Sequence, residues 1–130
     1  MRPMDGPQPW LAAAGVFGAL GVAMGAFGAH LLRPILPLQL MAVYETAVYY
    51  HLFHTVALLG CGALIALFPQ RRRLLRWAAL GFAVGIVLFS GSLYALCLTD
   101  QRWLGAITPI GGLAWIAAWV VLAVAFWRRA

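Results

Sequence analysis

Four long apolar runs, separated by short polar breaks, set the pattern of this chain. They cover roughly residues 10–32, 43–68, 74–98 and 103–127, each near or above the ~20 residues that a helix needs to cross a bilayer. The first break is Arg33-Pro34-Ile35-Leu36-Pro37, the second Pro69-Gln70-Arg71-Arg72-Arg73 and the third Thr99-Asp100-Gln101-Arg102. Proline removes an N–H donor and restricts the residue before it, so the first two breaks read as helix stops. Leu38 to Val43 then lead into the second run as an interfacial turn or short helix. Thr108-Pro109-Ile110-Gly111-Gly112 predicts a kinked or loosely wound start to the fourth. Links this short make neighbouring helices antiparallel. The expected fold is therefore all-α, a single domain over residues 1–130 with four antiparallel transmembrane helices.

The first run carries a stripe of small residues. Gly18, Gly21, Gly25 and Gly28 recur at steps of three and four, and at about 100° per residue they share one helix face. Small residues let backbones approach closely in lipid, so the stripe predicts a packing seam. Gly81, Gly85 and Ser92 form a second such face in the third run. Ser90 and Tyr94 point the other way. Ala26-Phe27-Gly28-Ala29 resembles a signal-peptide cleavage site, but the segment is expected to be retained as a span.

Composition agrees with a membrane setting. Of the 130 residues 65% are hydrophobic, more than a small soluble core could hide. The net charge of +6 is carried by arginine alone. Arg2, Arg71, Arg72, Arg73, Arg76, Arg128 and Arg129 fall on one side of the expected bundle, and Arg33 and Arg102 on the other. That asymmetry predicts both termini inside. Arginines at the ends of apolar runs mark topology, so no nucleic-acid partner is expected. Trp10, Trp103 and Trp127 sit at span ends, as interfacial aromatics do.

The polar side chains concentrate at the start of the second run. Tyr44-Glu45-Thr46-Ala47-Val48-Tyr49-Tyr50-His51-Leu52-Phe53-His54 holds the chain's one glutamate and two of its three histidines. Helical rise puts His51 about 9 Å, and His54 about 13 Å, deeper than Glu45. Ionisable groups at such depth are rare and are usually paired. His54 is thus expected as a neutral imidazole bonded to Thr55, Ser90 or a carbonyl exposed by glycine packing. His30 shares the depth of Glu45; Glu45 is expected to be hydrated at the interface, the alternative being an ion pair or proton-relay couple with His30. Matched depth gathers His30, Tyr94 and Thr108 around the outer half of the second span, with His54 and Ser90 a layer below. Tyr50, His51 and Ser92 complete the candidate cluster.

Cofactor chemistry finds little footing. His51 and His54 lie three apart, but Glu45 is on another face and does not complete a metal set. His30 is too far toward the surface to share a haem with His54. No nucleotide-binding or hydrolase motif is present. No cofactor or metal is expected. Cys61 and Cys97 belong to different depths, which predicts two free thiols.

Several of these stretches carry a family resemblance. They are Gly25-Ala26-Phe27-Gly28-Ala29-His30, Glu45-Thr46-Ala47-Val48 with Tyr50 and His54, Phe89-Ser90-Gly91-Ser92-Leu93-Tyr94 with Leu98-Thr99, and Thr108-Pro109-Ile110-Gly111-Gly112 with Trp119. In this order the chain resembles the domain of unknown function 423 family, also called the transmembrane protein 256 family. That family includes small bacterial inner-membrane proteins and a mitochondrial animal member. The resemblance implies a four-helix protein of the bacterial inner membrane and no assigned activity. It maps the family pattern onto His30, Tyr50, His54, Ser90, Ser92, Tyr94, Thr108 and Pro109. Relatives can carry an amide at the Glu45 position, and His51 is particular to this sequence.

Three functional classes follow. The first is a non-catalytic accessory or assembly component, bound to lipid and to other subunits or to its own copies. The second is a small oligomeric transporter or channel using the His/Tyr/Ser layer. The third is a lipid-, quinone- or haem-binding protein. No catalytic residues are expected.

Overall fold

The computed structural model describes residues 3–127. Among them there is no strand, and four helical rods run Gln8–Leu32, Leu38–Leu67, Pro69–Thr99 and Arg102–Trp127. All four are long and apolar enough to span a membrane. Arg2, Arg128 and Arg129 lie outside the described residues.

The rods are built from five α-helices. They are α1 (Gln8–Phe27), α2 (Leu38–Leu67), α3 (Arg72–Gly85), α4 (Gly91–Thr99) and α5 (Thr108–Trp127). A π-helical turn, Gly28–Leu32, prolongs α1, and another, Ile86–Ser90, joins α3 to α4 within the third rod. Short 3-10 turns, Pro69–Arg71 and Arg102–Ala106, open the third and fourth rods.

Two boundaries differ from the sequence pattern. The second rod begins at Leu38, not near Val43, because nothing in Leu38-Gln39-Leu40-Met41 opposes a helix. The Pro37 carbonyl accepts the first helical bond, from Met41 N–H at 2.9 Å. In the fourth rod the loosely wound part is Arg102–Ala106, and Thr108-Pro109-Ile110-Gly111-Gly112 is already α-helical. Pro109 is tolerated there because the first-turn N–H groups of a helix have no intrahelical partner to lose.

Asp100 ends α4 in the left-handed region at φ 54°, its N–H bonding the Leu96 carbonyl at 2.8 Å. Aspartate is among the residues that tolerate this conformation. Both cysteines are free and buried, and the Cys97 thiol donates to the Leu40 carbonyl at 3.3 Å.

Packing runs in sequence: α1 lies along α2, α2 along α3, and α3 along α5. The α1 stripe meets α2 in antiparallel order, with Gly18 facing Thr55, Gly21 facing Leu52, Gly25 facing Val48 and Gly28 facing Tyr44. Gly81 and Gly85 face α5, against Ala118 and Trp115. Such close approach supplies the dispersion contacts that stand in for a hydrophobic drive in lipid. The least forgiving case is Gly111, where a Cβ would fall 2.4 Å from the Phe89 backbone nitrogen. No rotamer change can relieve a clash with backbone.

Gly111→Ala is therefore expected to lower stability by ~1–3 kcal/mol, the usual range for overpacking. Gly15 has no heavy atom within 4 Å of a built Cβ. Gly15→Ala is expected to be neutral or stabilising by up to about 1 kcal/mol through helix propensity. Unfolding in detergent measures both, and equal losses would contradict the seam.

Candidate functional site

The candidate site is the layer where α2, α3, α4 and α5 exchange polar and aromatic contacts. Close α2–α5 contact is made by large rings: Tyr50 and His54 of α2 meet Trp115 and Trp119 of α5. His54 stacks on Trp115 with ring centroids 3.8 Å apart and planes 5° from parallel. Tyr50 lies nearly parallel to both. Phe82 and Phe89 of the third rod close the layer against Trp119 and Trp115.

Hydrogen bonds engage both nitrogens of each buried histidine. His54 Nδ1 is 2.9 Å from the Tyr50 carbonyl, and its Nε2 is 3.2 Å from Trp119 Nε1. A carbonyl only accepts and an indole N–H only donates. His54 therefore carries its proton on Nδ1 and accepts on Nε2. His51 has the opposite arrangement. Its Nε2 faces the Phe17 carbonyl at 2.8 Å, so that nitrogen donates, and its Nδ1 lies 2.8 Å from the Tyr94 hydroxyl, from which the neutral ring accepts. The Trp119 contact holds His54 as a neutral ring, and every nitrogen of both rings is engaged.

The partners differ from those that depth alone suggests. Neither Thr55 nor Ser90 reaches His54: the Thr55 hydroxyl donates to the His51 carbonyl and the Ser90 hydroxyl to the Ala47 carbonyl, each at 2.8 Å. His54 instead bonds within its own helix and across to α5. His51 and His54, about 60° apart around the helix, turn to different neighbours, His51 to the first and third rods and His54 to the fourth. Ser92 donates to the Phe89 carbonyl at 2.9 Å. Thr108 then donates to Ser92 across 2.6 Å, so Thr108 joins α4 to α5 and does not gather around α2. Tyr50 contributes its ring to the layer and is 40% exposed.

His30 is outside the layer. Gly28 and Leu32 are buried, so His30, midway between them, faces outward and is exposed. Among the described residues it makes no polar contact. Glu45 pairs instead with Arg33, Oε1 to Nη2 at 2.5 Å, at an exposed position. An exposed pair of this kind contributes only ~0–1 kcal/mol. The expected cluster thus separates into a surface ion pair, a His51–Tyr94 bridge between α2 and α4, a Ser90 bond to α2, a Ser92–Thr108 link between α4 and α5, and the His54 aromatic layer.

Two further sites had no signal in the sequence. At each π-turn one carbonyl is shared by a backbone N–H and a donor from the next rod. Gly28 N–H bonds both the Met24 and Gly25 carbonyls, and the Tyr44 hydroxyl also donates to Met24 at 2.5 Å. Ile86 N–H bonds both the Phe82 and Ala83 carbonyls, and the Trp115 indole donates to Phe82 at 3.1 Å. Gly28 and Gly85 make room for these rings.

Comparison with known proteins places these features in context. The family model described as protein of unknown function (DUF423) matches residues 24–112. The match takes in His51, His54, Ser90 and Tyr94 and stops short of Trp115 and Trp119. The chain is 42% identical over 117 residues to UPF0382 membrane protein SH2409 of Staphylococcus haemolyticus, covering 87% of this chain and 93% of that relative. It is 40% identical over 113 residues to the UPF0382 inner membrane protein YgdD of Escherichia coli K12, covering 85% and 83%. It is 43% identical over 106 residues to UPF0382 membrane protein YwdK of Bacillus subtilis, covering 82% and 85%. No solved structure matches the chain.

Imidazole 15N chemical shifts should show an Nδ1–H tautomer for His54 and an Nε2–H tautomer for His51. The reverse assignment at either ring would contradict the geometry. A double-mutant cycle of His54→Ala and Trp119→Phe should give a coupling of about 0.6–1.7 kcal/mol, the span for interhelical bonds in membranes.

Proposed function

This chain belongs to the DUF423 family, whose function is unassigned, as a multi-pass protein of the inner membrane, and we propose that it acts as a non-catalytic accessory or assembly component of a larger membrane complex. The observation that carries this reading is how fully the polar interior is used by the bundle itself. His51, His54, Thr55, Ser90 and Ser92 are buried, and each bonds another group of the chain. Such a layer holds helices in register and leaves little to offer a substrate. The links between rods are the segment 33–37, residue 68 and the pair 100–101, so nearly the whole described chain lies within the spans. The outer rods turn large apolar faces outward, among them Val16, Val22 and Leu31 on the first and Leu113, Ile116 and Val120 on the fourth. A protein with most of its chain inside the bilayer works through what it touches there.

Orientation is part of the proposal. Arg71, Arg72, Arg73 and Arg76 cluster at one end of the bundle, and Arg33 and Arg102 stand at the other. The positive-inside rule places the richer end, with both termini, in the cytoplasm.

Extraction from native membranes without disrupting complexes should recover this protein with other membrane proteins in fixed ratio. A lone monomer whose liposomes conduct a solute, with conduction lost in a folded His54→Ala variant, would overturn the accessory reading in favour of transport. A C-terminal alkaline phosphatase fusion, active only outside the cytoplasm, should be silent; activity would reverse the orientation.

A further inference from the structure

We propose that the groove between the first and third rods, at the arginine-rich end, seats one anionic phospholipid. Its phosphate would rest on Arg73 and Arg76 and an acyl chain would follow the groove toward mid-membrane. The groove opens in a cavity of about 470 Å³ lined by Met4, Trp10, Arg73, Arg76, Trp77 and Leu80. Close packing joins α1 to α2 and α2 to α3, which leaves a trough over α2 between the first and third rods.

The polar groups of this cavity are donors in excess. Among the described residues Arg73 has no hydrogen-bond or ion-pair partner. Arg76 spends Nη1 on Asp5 Oδ1 at 2.7 Å, while its Nε is buried without a partner. Trp10 is 5% exposed and its indole N–H is also unpartnered. Buried donors lacking an acceptor are uncommon, and each calls for an explanation such as a missing ligand. Two guanidinium groups against one carboxylate leave a net positive site. Guanidinium binds phosphate oxygens through paired, charge-assisted hydrogen bonds.

The second observation fixes the occupant as a lipid and not a free phosphate. Farther along the same two rods lies an apolar cavity of about 280 Å³ lined by Phe17, Ala83, Val84, Val87 and Leu88. Trp10 and Phe17 are two helical turns apart on the first rod, about 10 Å. A cationic mouth with an apolar cavity farther along the same two rods matches an amphiphile. Arg71 and Arg72 add positive charge at the same end, and Asp5 is the acidic residue that opposes an anion there.

Native mass spectrometry of the detergent-solubilised chain, with phosphatidylglycerol and phosphatidylcholine offered in equal amounts, tests this. One phosphatidylglycerol should be retained in preference. Arg73→Gln should weaken retention about fivefold, the usual share of one basic residue at an anionic headgroup. Asp5→Asn should strengthen it by removing the competing carboxylate. Arg102→Gln, at the far end, should leave it unchanged. Inorganic phosphate at millimolar concentration should not displace the lipid. Equal retention of both lipids would overturn the proposal, as would indifference to both Arg73→Gln and Asp5→Asn, or displacement by inorganic phosphate. The accessory reading does not depend on the result.

Discussion

Inside a bilayer a peptide carbonyl that loses its helical partner has no water to turn to. Two carbonyls in this bundle, at Met24 and Phe82, stand just before π-turns and share their backbone N–H with the next carbonyl. Each is bonded in addition by a side chain from the following rod. Tyr44 does this in the first hairpin and Trp115 in the second. Each ring reaches its carbonyl past a glycine that a larger residue would block. The bond, the turn and the glycine depend on one another. The two halves of the chain thus repeat one device: a widened turn in one helix and an aromatic donor in its partner.

The hairpins then join through a different set of contacts. Ser90 bonds the Ala47 carbonyl, Tyr94 bonds His51, and His54 lies between the third and fourth rods. The bonds are modest singly, since the unfolded chain in lipid also finds partners for its polar groups. Their geometry is more telling than their strength. A one-residue slip of α2 would break the set together, because each partner sits on a fixed face of its helix. Register is what the layer specifies.

Much of this architecture is legible in the sequence because it follows from helical geometry. Run length marks the four rods, and the 100° step places Gly18, Gly21, Gly25 and Gly28 on one face. The same step separates Ser90 and Tyr94, which turn to α2, from Gly81, Gly85 and Ser92, which turn to α5. What stays hidden has other causes. A π-turn adds a fraction of a residue per turn and leaves no mark in composition. Carbonyl acceptors such as Phe17 and Tyr50 are invisible because every residue has one. Depth matched Glu45 with His30, but depth says nothing of direction, and Arg33 across the turn is the side chain that faces the carboxylate. Trp115 looks like any apolar residue of a span, and Trp119 only like part of a family pattern, until the histidine that they enclose is in view.

The fixed donors and acceptors around the histidines have an electrical corollary. Conduction of protons by hopping requires each member of a chain to give up one hydrogen and then rotate to receive another. An indole nitrogen cannot receive, and a peptide oxygen cannot give. The string from Trp119 through His54 to Tyr50 terminates in such groups at both ends, and that from Tyr94 through His51 stops at the Phe17 oxygen. With imidazoles in its midst, the bundle nonetheless ends each of these strings at a group that cannot pass a hydrogen on.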